Sequence, residues 1–191
     1  MPGGVKGTAV ASVVEDLKRL LEAGRIRRDE LEVRLEPADL DLLEQKILPS
    51  SWYSLGTQGR ITQLLLEVEG KGSIEYLLER GRRAAERMRE GGLYAQLAVD
   101  QDRWGERVGA MMIPLGPAIY RDTVWSIELS GVGDAMRFEI TVEVQEEFPE
   151  VCRHQTQGFI EHASSYASGG RVRMSSTRVS PTRIQFVGQS K

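Results

Sequence analysis

The segment from Phe148 to Gly188 constrains the fold of this 191-residue chain more than any other stretch. It reads as one amphipathic helix, a double-glycine stop and a closing β-hairpin. Pro149 suits a first helical turn, where its missing N–H has no partner to lose. Cys152, Gln155, Phe159, Ala163 and Tyr166 then recur as one stripe at helical spacing, with Arg153, Gln157, Glu161 and Ser164 or Ser165 on the other face. Gly158 stands mid-helix at a cost of about 1 kcal/mol against alanine, so a close neighbour is expected there. Gly169-Gly170 supplies a left-handed C-cap. Beyond it Val172 and Met174 alternate with Arg171, Arg173 and Ser175, Ser180-Pro181-Thr182 turns, and Ile184 and Phe186 alternate with Arg183 and Gln185.

A second period-two segment begins at Val124. Trp125, Ile127 and Leu129 alternate with Ser126, Glu128 and Ser130. After a turn at Gly131-Val132-Gly133-Asp134, Met136, Phe138, Ile140, Val142 and Val144 alternate with charged or polar residues. This is the pattern of an antiparallel hairpin with one buried face. Everything earlier reads as helical. Ala9 to Ala23 carries Val13, Val14, Leu17, Leu20 and Leu21 on one face, and Pro37 opens a further segment. Two helices flank Gly70-Lys71-Gly72-Ser73, the second expected to bury Ile74, Leu77, Leu78, Gly81 and Met88. A helical region from Leu93 to about Met112 is expected to break at Pro114 and Pro117. Residues 25–36 fit a strand or a helix. The expected fold is α+β: an N-terminal helical part, then a four-stranded, mainly antiparallel sheet (hairpin–helix–hairpin) with helices on one face. The expected division is an N-terminal helical appendage over 1–47 and an α+β ligand- or partner-binding domain over 48–191.

Charge and composition narrow the function classes. A formal net charge of −3 argues against a dedicated nucleic-acid binder. Hydrophobic residues at 40% are enough for a sizeable core, and no apolar run has the length to span a bilayer. The single cysteine, Cys152, forbids an internal disulfide and suits a reducing cytoplasm. The first residues lack signal-peptide or myristoylation features, and Gln189-Ser190-Lys191 is no prenylation box, so a cytoplasmic location is expected.

Leu48-Pro49-Ser50-Ser51-Trp52-Tyr53, Glu79-Arg80-Gly81-Arg82 and Gln157-Gly158-Phe159-Ile160-Glu161, followed by Gly169-Gly170, lie within this order of helices and hairpins. Over residues 48–188 the chain thereby resembles a superfamily of vinyl-reductase-type small-molecule-binding domains, TRAPP subunits and haem nitric-oxide-binding domains. Within that group it is nearest to an uncharacterised paralogous family of the Myxococcales. The resemblance implies a ligand- or partner-binding regulatory module and transfers no functional residues. Vinyl-reductase-type domains often carry a C-terminal cysteine cluster, which one cysteine cannot make. Haem-binding members use a proximal histidine and a Tyr-x-Ser-x-Arg motif, and Tyr166-Ala167-Ser168-Gly169-Gly170-Arg171 has one residue too many before its arginine.

Catalytic chemistry finds little footing. Cys152 and His154, two apart on a helix, point to nearly opposite sides, and His154 and His162 are roughly 12 Å apart along the axis, so no metal site is expected. Gly70-Lys71-Gly72-Ser73 and Gly4-Val5-Lys6-Gly7-Thr8 lack the spacing of a phosphate-binding loop. Arg80, Arg83 and Arg87 read as a face paired internally with Glu79, Glu86 and Glu90. Arg171, Arg173, Arg178 and Arg183 have fewer acids nearby and leave room for an anionic partner. Trp125, Phe138, Phe159, Met111 and Met174 are the candidates for lining an apolar pocket within the core. Gly81, Ala84 and Ala85 form a thin face open to a second helix, and self-association or partner binding through the helical part is expected. The leading reading is a non-enzymatic regulatory module that binds a protein partner or an apolar small molecule, without a cofactor. The alternatives are a small cytosolic enzyme using Asp, Glu and Arg groups, and a structural subunit of a larger assembly.

Overall fold

Two short strands tie the beginning of the chain to its middle: β1 (Gly4–Lys6) pairs antiparallel with β2 (Trp52–Ser54), Val5 opposite Tyr53. We describe the fold from a computed structural model that places residues 3–92, 103–131, 135–170 and 172–190. Among these the protein is a mixed α+β structure with seven helices and two antiparallel sheets, one of them four-stranded. The helices before the large sheet are α1 (Gly7–Glu22), α2 (Arg28–Arg34), α3 (Pro37–Glu44), α4 (Leu55–Val68), α5 (Ile74–Glu90) and α6 (Trp104–Ile119). Strands β3 (Thr123–Ser130) and β4 (Arg137–Val144) precede α7 (Glu150–Ser168), and β5 (Val172–Ser180) and β6 (Arg183–Ser190) follow it. The sheet order is β3-β4-β6-β5, with Ile140 opposite both Ile127 and Phe186 and Val142 opposite Trp125 and Ile184. No helix among the described residues is long and apolar enough to cross a membrane.

Local signals account for most boundaries. Residues 28–34 become helix because that conformation separates apolar side chains a strand would align: Leu31 is fully buried while Val33 is 87% exposed. Asp29 and Glu30 in the first turn and Arg34 in the last complement the helix dipole. Pro37 opens α3, Ser54 caps α4 by accepting the Thr57 N–H at 3.2 Å, and Gly169 closes α7 at φ +64°. The first 47 residues share their packing with the rest: Val10, Val13, Val14 and Leu17 lie in the same buried cluster as Phe138 and Phe186.

Several expectations are corrected. Helix α6 does not break at Pro114 and Pro117 but runs through both to Ile119. The carbonyls that lose an N–H partner belong to Ala110 and Ile113, both exposed, so water can serve them. Leu93 and Leu97, the turn at 132–134 and Arg171 lie outside the described residues. Ile74, expected in the core, is 50% exposed at the start of α5. On α7, Arg153, expected on the polar face, is buried, and Tyr166, expected in the apolar stripe, is 36% exposed. The reason is that α7 is covered twice, by α5 and by β5. A single stripe does not describe a helix with two buried sides.

Glycines set how closely the layers approach. A Cβ on Gly81 of α5 would stand 1.9 Å from the Gln155 carbonyl oxygen of α7, and one on Gly158 of α7 would stand 2.0 Å from the Leu78 oxygen of α5. The two backbones therefore touch through reciprocal glycines. Helix α6 lies against β3 in the same manner, with Gly105 facing Leu129 and Met136, Gly109 facing Ile127 and Gly116 facing the Trp125 indole.

Candidate ligand cavity

A cavity of about 350 Å³ lies where the helices meet β3, within the size range of small-molecule sites. Its walls come from separate parts of the chain. Helix α1 contributes Thr8, Ala9 and Ser12, α4 contributes Gln58, and α5 contributes Gly81, Ala84, Arg87 and Met88. Helix α6 adds Met112, Leu115 and Ile119, then come Tyr120 and Trp125, and finally Gln155, Thr156 and Phe159 of α7. The small side chains at Ala9 and Ala84 leave space that larger ones would fill, while Gly81 and Gly116 let Gln155 and Trp125 approach closely.

The aromatic wall is fixed by bonds at its back. Trp125 Nε1 donates to Thr123 Oγ1 at 2.9 Å, and that hydroxyl donates to the Tyr120 carbonyl at 2.7 Å. The Trp125 ring stacks on Phe186 at 6.4 Å between centroids, and Tyr120 meets Phe148 edge-on at 4.9 Å. Tyr120 Oη and Thr156 Oγ1 are 3.2 Å apart. Burial holds the Tyr120 phenol well above its ordinary value, the neighbouring Cys152 adds to this and Thr156 offsets part of it, so the hydroxyl is neutral.

Two amides in this lining are incomplete. Gln58 is 1% exposed, and among the described residues its buried Oε1 has no hydrogen-bond partner; the buried Oε1 of Gln155 has none either. A buried amide oxygen without a partner costs about 1–3 kcal/mol. The lining is equally defined by what it lacks. Among the described residues it includes no Asp, Glu, His or Cys, and hence no general base or thiolate.

The sequence-chosen pocket residues fall in different places. Trp125 and Phe159 line the cavity. Phe138 is fully buried against Trp104, ring centroids 5.7 Å apart, and Met111 and Met174 pack at the edge of the core. Of the thin face, Gly81 and Ala84 border the cavity, Ala85 is fully buried, and Gly81 meets α7 of the same chain. Gln58, Tyr120 and Thr156 were not foreseen. A signal existed for Gln58, which falls three before Ile61 and seven before Leu65, on the apolar stripe of α4.

The arginine face is paired with one exception. Arg83 meets Glu79 at 3.0 Å and Arg80 meets Asp16 of α1 at 2.5 Å, but among the described residues Arg87 has no ion pair. On the closing hairpin Arg183 pairs with Glu143 at 2.7 Å, and Arg178 with Glu150. The remaining reactive side chains stand apart from the cavity. Burial pushes the Cys152 thiol up to about 12. His162 Nε2 is 2.8 Å from Glu86, whose carboxyl is pulled down to about 2 by Arg89 and then by His162. His154 lies beside Arg153, which donates to its Nε2 at 3.0 Å. Among the described residues no group of His, Cys, Asp and Glu is placed to hold a metal.

No protein-family model matches this sequence, and comparison with curated proteins finds no match. Solved structures do match. A point mutant of T. tengcongensis H-NOX aligns over 97% of this chain and 97% of its own, with 18% identity and a TM-score of 0.61. An H-NOX structure solved to probe haem distortion covers 97% and 95% at 16% identity and a TM-score of 0.59. A Cs H-NOX carrying 4-cyano-L-phenylalanine covers 97% and 96% at 18% identity and a TM-score of 0.58. The chain has an H-NOX-like fold. Haem, which that fold family implies, does not suit the donors found among the described residues. Protein-held haem iron takes a histidine, a thiolate, a methionine–histidine pair or a tyrosinate. The only histidines, His154 and His162, and the only cysteine are absent from the lining, and Tyr120 is held neutral by burial.

Proposed function

We propose that this chain is a non-enzymatic regulatory module whose cavity takes up an apolar small molecule. The supporting observation is a largely apolar cavity with no acid, histidine or thiol in its described lining. Such a surface recognises by shape and by one or two directed hydrogen bonds, and its described lining holds no carboxylate, imidazole or thiol. The cavity is bounded by α1, α4, α5, α6, α7 and β3. A ligand there would touch these elements together and favour the arrangement in which they pack around it. That is how occupancy would reach a protein partner. The sequence resemblance to vinyl-reductase-type small-molecule-binding domains points the same way, as does the likeness to H-NOX structures.

Native mass spectrometry of the protein purified without detergent tests this together with thermal melting in the presence of 1-octanol. The expected result is a one-to-one complex and a melting point that rises with ligand concentration. Ala84→Phe, which places a ring in the cavity, should abolish both while preserving the fold by circular dichroism. Absence of any complex and of any melting shift in the wild type would remove the proposal.

A further inference from the structure

Resting on the reading of the cavity as a ligand site, we infer that the cavity selects an amphipathic organic anion, with Arg87 as the residue that sets this preference. Arg87 borders the cavity and is exposed, so it stands at the mouth, whereas Gln58 at 1% exposure stands on an inner wall. The cavity therefore has a cationic end and an apolar interior with an amide on its wall. The nearest acids on α5 are only partly available to this end. Glu79 is engaged by Arg83, Glu86 is engaged by Arg89 and by His162 at 2.8 Å, and among the described residues Glu90 makes no ion pair with Arg87. Arg87 itself, among the described residues, meets no carboxylate. The first turn of α1, which contributes Thr8 and Ala9 to the same lining, also holds no acidic residue to offset its positive pole.

A guanidinium binds a carboxylate through paired, charge-assisted hydrogen bonds. A carboxylate at Arg87 leaves the hydrocarbon part of the ligand to Met88, Met112, Trp125 and Phe159. Simple organic acids with an alkyl chain are the chemical class that satisfies both requirements.

The test compares octanoate, 1-octanol and octylammonium by tryptophan-fluorescence titration of the wild type, Arg87→Ala and Arg87→Glu. Wild type should bind octanoate about three- to tenfold more tightly than octanol, the range for one partly solvated charge-assisted contact. Arg87→Ala should erase that difference while leaving octanol unchanged, and Arg87→Glu should favour octylammonium. Octanoate and octanol binding equally well to the wild type would overturn the charge preference and leave the ligand site standing. A preference that survives in Arg87→Ala would overturn the role of Arg87. If none of the three binds, both this inference and the ligand-binding function fall.

Discussion

Asp39 is the clearest case of a side chain whose surroundings decide its state. It is fully buried at the foot of α4 and accepts from Arg60 Nε at 2.6 Å, Arg60 Nη2 at 2.8 Å, Thr57 Oγ1 at 2.6 Å and the Glu36 N–H at 3.1 Å. Burial pushes its carboxyl up, but the bonds from Arg60, Thr57 and Glu36 outweigh this and hold it below its ordinary 3.8. Arg60→Leu should cost about 1–3 kcal/mol, since Arg60 is partly solvated and the lost pair leaves a buried carboxylate behind. The double variant with Asp39→Leu should cost less than Arg60→Leu alone, which urea unfolding of the set checks. His154 supplies a second, milder acid dependence. Burial and then Arg153 press its imidazole below 6.5, with Glu150 opposing them. Arg153 can only donate, so His154 Nε2 accepts and the ring is neutral in the fold. The unfolded chain takes up the proton first, so this contribution is complete above about pH 6.5 and is lost as the pH falls. Between pH 7 and 5 the urea midpoint should drop, and His154→Gln should flatten that drop. The contribution of Asp39 follows the same sign at lower pH, being lost as the pH falls below about 4. None of this was legible in the sequence, because Asp39 sits among alternating acids and leucines that look solvated. Only the return of α4 past α3 brings Arg60 to it.

Among the elements, the pair α5 and α7 carries the closest packing. Gly81 and Gly158 were each legible as helix glycines that needed a close neighbour, and each turns out to face the other helix's backbone. Gly158→Leu should destabilise by about 1–3 kcal/mol, because its first added carbon already overlaps the Leu78 carbonyl at 2.0 Å. An unchanged thermal midpoint would mean that the two backbones do not touch. The α6 glycines were equally visible in the sequence but were missed, since the prolines drew attention to a break. Their spacing, four and then seven residues, places one small face along the helix, and Leu129, Ile127 and Trp125 of β3 fill it in reverse order. Polar seams escaped for another reason. Arg153 donates to the Ser176 carbonyl at 2.8 Å, and Gln157 donates to that of Met174 at 3.1 Å, so α7 is bonded to β5 by residues read as solvent-facing. A charged residue on a helix covered on both sides has the same local sequence as one facing water.

At the scale of the whole molecule, the order of helices and strands was largely readable from changes in hydrophobic period. The cavity was readable only in fragments, because its lining comes from α1, α4, α5, α6, β3 and α7. Aromatic and small residues announced themselves, while Gln58 and Arg87 matter through where they stand relative to an apolar space. The methionines provide a direct probe of that arrangement. Met88 and Met112 line the cavity, whereas Met111, Met136 and Met174 do not. With the methionine methyl groups isotopically labelled, an NMR titration with octanoate reads the five positions in one experiment. The account predicts saturable shifts at Met88 and Met112 and near-constant signals at Met136 and Met174. No shift at Met88 and Met112, or equal shifts at all of them, would contradict it.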